Sequence, residues 1–151
     1  MSKHLYILSI ILFSACHHKE MAKTTDAVKT TNVANPVSAT KEVTIDPSAD
    51  MAATGAMYQN TGFEIKGDTL VLTVQYSGGC KEHNWELVSN GMYAKSLPPQ
   101  ISVCLKHTNN GDACRELKIQ ELKFNISKLK NPSGKTVVVK MGENSARYSY
   151  N

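Results

Sequence analysis

Leu70, Leu72, Val74 and Tyr76 stand at every second position of one run, with Val71, Thr73 and Gln75 between them. Successive side chains on a strand point to opposite faces, so this spacing marks a half-buried β-strand and not a helix. The pattern recurs along the chain. Within His83 to Ser89, Trp85 and Leu87 share one parity, opposite Asn84 and Glu86; within Gln100 to His107, Ile101, Val103 and Leu105 share another. A short Phe63-Glu64-Ile65 run comes before them, and Thr136 to Met141 and Arg147 to Tyr150 follow. Turn formers punctuate the runs: Gly67-Asp68, Asn90-Gly91, Asn109-Asn110-Gly111-Asp112 and Pro132-Ser133-Gly134. About seven short strands at this spacing predict an all-β domain built as an antiparallel sandwich, with an immunoglobulin-like form of it and a small closed barrel as the alternatives. One stretch breaks step. Leu117 and Ile119 share a parity that Leu122, Phe124 and Ile126 do not continue, which predicts a β-bulge near Gln120-Glu121.

The beginning of the chain is of another kind. Met1-Ser2-Lys3-His4 is short and basic, Leu5 to Phe13 is apolar, and Ser14 and Ala15 then precede Cys16. The apolar run falls short of the about 20 residues that a bilayer requires, but suits an export signal. Phe13-Ser14-Ala15-Cys16 resembles the lipobox of bacterial lipoproteins, although leucine is commoner where Phe13 stands. That resemblance implies a signal peptide over 1–15, cleavage before Cys16, and lipid attachment to its sulfur. The expectation is therefore a lipid-anchored protein of the cell envelope, at the outer membrane. From His17 to Asp50 the chain is rich in Thr, Lys, Ala and Asn and nearly free of large apolar residues, so 16–50 reads as a flexible tether. Ser48 to Met57 offers a helical turn or two, capped by Asp46 or Ser48. The β-sandwich domain is assigned to 58–151.

Strand parity concentrates the chemistry. His83 has the parity of Trp85 and Leu87, and His107 that of Ile101, Val103 and Leu105, so both histidines face inward. Cys104 has the opposite parity and is expected to face solvent. Cys80 precedes the first of these strands and Cys114 follows the second, so side-by-side strand ends gather Cys80, His83, His107 and Cys114 at one pole. Two chemistries fit. In an oxidising compartment two neighbouring thiols form a disulfide. Alternatively two thiolates and two imidazoles hold zinc or copper tetrahedrally, with Cys80, His83, His107 and Cys114 as the ligands.

Other functions find less in the sequence. A nucleophilic Cys80 paired with His83 lacks a recognisable orienting group and oxyanion hole. Glu82, Glu86, Asp112 and Glu116 are spread as on a solvated surface. No Ser/His/Asp order and no phosphate-binding loop stands out, so a non-catalytic binding or structural module is expected, with a metal-handling protein as the alternative. The net charge of +4 comes from scattered lysines and arginines, which does not suit nucleic-acid binding. The partners expected are the membrane and an unidentified protein or envelope component.

Ser77-Gly78-Gly79-Cys80 with His83 and Trp85-Glu86-Leu87, followed by Leu105-Lys106-His107 and Gly111-Asp112-Ala113-Cys114, resembles a group of small uncharacterised envelope lipoproteins of the Bacteroidota type. The resemblance covers about Thr69 to Phe124. It implies that Cys80 pairs with Cys114 and His83 with His107, that Cys104 is a departure from the group, and no activity.

Overall fold

The computed structural model describes residues 39–151. Eleven strands are found there: β1 (Lys41–Glu42), β2 (Thr44–Ile45), β3 (Gln59–Lys66), β4 (Thr69–Gly78), β5 (Asn84–Ser89), β6 (Tyr93–Ala94), β7 (Gln100–Ser102), β8 (Cys104–Thr108), β9 (Glu116–Asn125), β10 (Thr136–Met141) and β11 (Asn144–Ser149). One short 3-10 turn, Ser127–Leu129, interrupts them. The strands form three sheets, in the orders β1–β9–β4–β3, β2–β5–β8 and β11–β10–β7–β6.

Two buried valines join the sheets. β1 runs parallel to β9, pairing Lys41 with Phe124, and the same stretch then turns at Val43 so that β2 runs parallel to β5, pairing Thr44 with Val88. In the same way β7 pairs with β10, the chain turns at Val103, and β8 pairs with β5. Val43 and Val103 are 0% and 4% exposed. Each bend drives a small β-branched side chain into the core, which holds neighbouring sheets together where no hydrogen-bond ladder connects them. Leu70, Leu72 and Val74 of β4, Leu122 and Phe124 of β9, Leu87 and Trp85 of β5, Ile101, Leu105, Val137, Val139 and Tyr148 fill the space between. The alternation read along Leu70 to Tyr76 is kept, with the even positions inward.

Three expectations are corrected. The first concerns β9, which carries no bulge: its pairing with β4 runs unbroken from Glu116 opposite Gly78 to Asn125 opposite Thr69. The parity of Leu122 and Phe124 therefore continues to Gln120 and Lys118, and Leu117 and Ile119 lie on the outer face, 66% and 51% exposed. The inward positions turn polar because this end of the core is polar. Tyr76 Oη donates to Gln120 Oε1 at 3.0 Å there. The register shift lies in β3 instead, between Asn60 and Gly62.

The second correction concerns the tether assigned to 16–50, which does not extend that far. Lys41 to Ile45 is paired on two sheets and Val43 is fully buried, so the folded part starts well before residue 58. In the third, the helical turn expected in Ser48 to Met57 is absent. Asp46 instead closes a side-chain turn, its Oδ1 accepting from the Ser48 N–H at 2.9 Å and the Ser48 hydroxyl at 2.6 Å. The signal peptide and Cys16 lie outside the described residues.

Candidate functional site

β4 ends at a corner that only glycine allows. Gly79 has φ +115, a backbone region that a side chain disfavours. Gly78 is constrained by its surroundings: a Cβ there would stand 2.7 Å from His83 Nε2 and 3.1 Å from Asp112 Oδ2. The turn delivers Cys80 to the start of β9, where it forms a disulfide with Cys114, the Cα atoms 5.9 Å apart. The second loop arrives through Asn110 and Gly111, both with positive φ, and places Asp112 beneath the disulfide.

Asp112 organises this corner. Its Oδ2 accepts the backbone N–H of Cys80 and of Lys81, each at 3.0 Å, and its Oδ1 accepts that of Cys114 at 2.9 Å. Both halves of the disulfide thus hang by their amides from one carboxylate. The Cys114 amide foremost, with those of Lys81 and Cys80 and the imidazole of His83, holds Asp112 well below the usual carboxylate range, against the opposing effect of burial.

A chain of hydrogen bonds leads inward from it. His83 Nε2 lies 3.3 Å from Asp112 Oδ2, His83 Nδ1 lies 2.7 Å from His107 Nε2, and His107 Nδ1 lies 3.1 Å from the Ala56 carbonyl. The side chains of His83 and Asp112 are 1% and 0% exposed, and His107 is 3% exposed. Both ends of the chain are acceptors, so the ring protons are fixed by the contacts. Burial foremost, with the nearby His83 adding to it, pushes His107 below its ordinary value, against the opposing hydrogen bond to the Ala56 carbonyl.

Aromatic rings wall the pair in. Trp85 stacks on His107 with ring centres 3.8 Å apart and planes within 3°. Tyr76 lies 4.5 Å from His83, and Tyr58 stands edge-on to Trp85 at 5.4 Å. The Tyr58 hydroxyl donates to the Leu105 carbonyl at 3.1 Å, and burial pushes it up to about 12. Among the described residues, the Trp85 indole N–H is buried without a hydrogen-bond partner.

The structure thus brings Cys80, His83, His107 and Cys114 to one corner, as strand parity predicts. It does not aim them at one point. The sulfurs are bonded to each other and the imidazoles to each other, so the tetrahedral four-ligand arrangement is not formed. Cys104 is a correction. It does point away from the core, but it is 3% exposed because the stretch through Ala53 lies over it, Sγ donating to the Ala53 carbonyl at 3.7 Å. That stretch adds itself to β8 through Gly55, whose neighbours Thr54 and Ala56 exchange hydrogen bonds with His107 at 2.8 Å. Asp112 is the site residue that sequence reasoning missed, having been counted among solvated carboxylates. Its position two residues before Cys114 in an Asn-Gly-Asp turn was the available signal, since a short acidic side chain there reaches backbone N–H groups two residues on.

No protein-family model and no curated protein sequence matches the chain. Among solved structures it is similar to the crystal structure of a protein of unknown function, DUF1344, from Bacteroides vulgatus, at 21% identity and a TM-score of 0.48, covering 74% of this chain and 56% of that one. It is also similar to a NigD-like immunity protein from Bacteroides caccae, at 14% identity and a TM-score of 0.47, covering 72% of this chain and 57% of that one. The chain spans less than three fifths of the length of either structure.

Proposed function

We propose that this chain is a lipid-anchored, non-catalytic β-module of the cell envelope, held to the membrane through Cys16 and presenting its β-domain to a protein or envelope partner. The observation that carries the reading is the sealed corner. Its chemically rich residues, Asp112, His83 and His107, spend their polar atoms on one another and on backbone groups, behind a disulfide and a wall of rings. A catalytic base needs a face open to substrate, and these side chains have almost none. A surface hollow beside Lys130, Pro132, Lys135 and Tyr150 includes none of the three. The disulfide itself suits an oxidising compartment outside the cytoplasm.

The test is acyl labelling. Cells fed an alkyne-bearing fatty acid should label the wild-type chain, and Cys16→Ala should abolish the label and release the protein from the detergent phase. Unchanged partitioning of Cys16→Ala would sink the anchor.

Zinc or copper handling keeps one observation in its favour. The donor atoms of Cys80, Cys114 and Asp112 lie within 4.8 Å of one another. In the disulfide form only Asp112 remains as a donor, and it already holds three amides. Stoichiometric metal in protein purified from the envelope without reductant would favour this second reading.

A further inference from the structure

We propose that two copies of this chain associate through β9, edge to edge, to form one continuous antiparallel sheet. Strand β9 is paired with β4 along its whole length, but on its other side β1 reaches only Phe124 and Asn125. Residues 116–123 therefore present an open edge among the described residues. The Asn125 carbonyl accepts from Val43 N–H on that side at 3.0 Å. Backbone groups alternate in direction along an antiparallel strand, so Leu117, Ile119, Glu121 and Lys123 point their N–H and C=O groups at the open edge. An edge of this length is a template for another strand, and natural proteins normally cover or blunt it.

Self-complementarity identifies the occupant. The outer-face residues of β9 read Leu117, Ile119, Glu121 and Lys123, with the exposed Arg115 one residue before the strand and Lys123 Nζ 3.1 Å from Glu121 Oε1 in the same chain. A twofold axis perpendicular to the sheet keeps inner and outer faces in register, and placing it at Lys118 sets Leu117 opposite Ile119 of the second copy, and Arg115 opposite Glu121. The symmetry repeats each contact, giving two apolar pairs flanked by two ion pairs in one row. The two apolar side chains are the most exposed large hydrophobics that any strand of the domain carries, and the pairing covers them. On the inner face Lys118 meets its own copy, an unfavourable opposition that Glu116 offsets, its Oε1 lying 3.1 Å from Lys118 Nζ within each chain. Moving the axis to Ile119 instead sets Arg115 against Lys123 and Glu116 against the buried Leu122, so the row selects one register. This inference is independent of the anchor and of the sealed corner.

The experiment uses the full chain purified in mild detergent, with protein mass measured by light scattering during gel filtration over a dilution series. Wild type should run as two copies that separate on dilution. Ile119→Glu, a change on an exposed position, should give a single copy with unchanged melting temperature. Arg115→Glu should weaken association about tenfold, since two like-charge contacts replace two ion pairs, and Arg115→Glu/Glu121→Arg should restore it. A single copy at every concentration, a dimer indifferent to Ile119→Glu, or a double variant no better than the single one would each overturn the proposal.

Discussion

The imidazoles of His83 and His107 meet Nδ1 to Nε2 at 2.7 Å, one carried on the approach to β5 and the other on β8. Because burial keeps His107 below its ordinary value, folding discriminates between its protonation states. The unfolded chain binds a proton there near pH 6.5, and the folded chain does so only at lower pH. Stability is then present above about pH 6.5 and declines as pH falls through that value. Asp112, also depressed, adds its own loss only once pH drops through the carboxylate range. The urea midpoint should be lower at pH 5.5 than at pH 7.5, and His107→Gln should flatten that difference. A midpoint that does not move between these values would refute the assignment.

The disulfide closes a loop with a sequence separation of 34. In the chain-entropy model its loss costs roughly 3.5–4 kcal/mol. Asp112 continues to hold the Cys80, Lys81 and Cys114 amides without it. Cys80→Ser/Cys114→Ser should therefore still fold, with unfolding free energy reduced by about that amount in urea titrations. Adding Asp112→Asn should cost more in this background than in the wild type, since only the exposed hydrogen bonds of Asn110 with Lys81 and Glu82 then tie the two loops together. Equal costs would mean that the two devices act independently.

The corner was legible because strand parity is a rule of two, and it carries from His83 into β5 through Trp85 and Leu87, and from β7 across the bend into β8 through Ile101, Val103, Leu105 and His107. Parity misled at β9, where Leu117 and Ile119 looked like core and the strand instead places Lys118 and Gln120 inward, toward a polar end of the core that a one-strand pattern does not reveal. Composition misled at Lys41 to Ile45. A window dominated by Thr, Lys and Ala hides the single Val43 whose burial pins two sheets. Asp112 was hidden for the opposite reason: as part of an obvious turn, it needed no further role.

Val43 tests the correction of the tether. A fully buried valine contributes about 1.5–3 kcal/mol, and removing residues 39–45 also removes the pairing with β9 and β5. That deletion should lower the unfolding free energy by at least about 2 kcal/mol, and Val43→Asp, which buries a charge with no partner, should do as much alone. A melting temperature unchanged by the deletion would restore the domain boundary read from composition.

Cys104 tests what covers β8. Its thiol is free, buried and raised above its ordinary value, chiefly by that burial, so little reactive thiolate is available under native conditions. Without reductant, the domain should show no fast-reacting thiol toward an aromatic disulfide reagent and one after addition of urea. The barrier belongs to the covering stretch around Ala53 and Gly55 and not to the core. A Cβ on Gly55 would stand against the His107 carbonyl, and Gly55 has φ +79, so Gly55→Val should lift that stretch off the strand. The variant should expose Cys104 to the reagent while the Cys80–Cys114 bond and most of the melting temperature persist. A Cys104 that reacts at the wild-type rate in Gly55→Val would place its protection elsewhere.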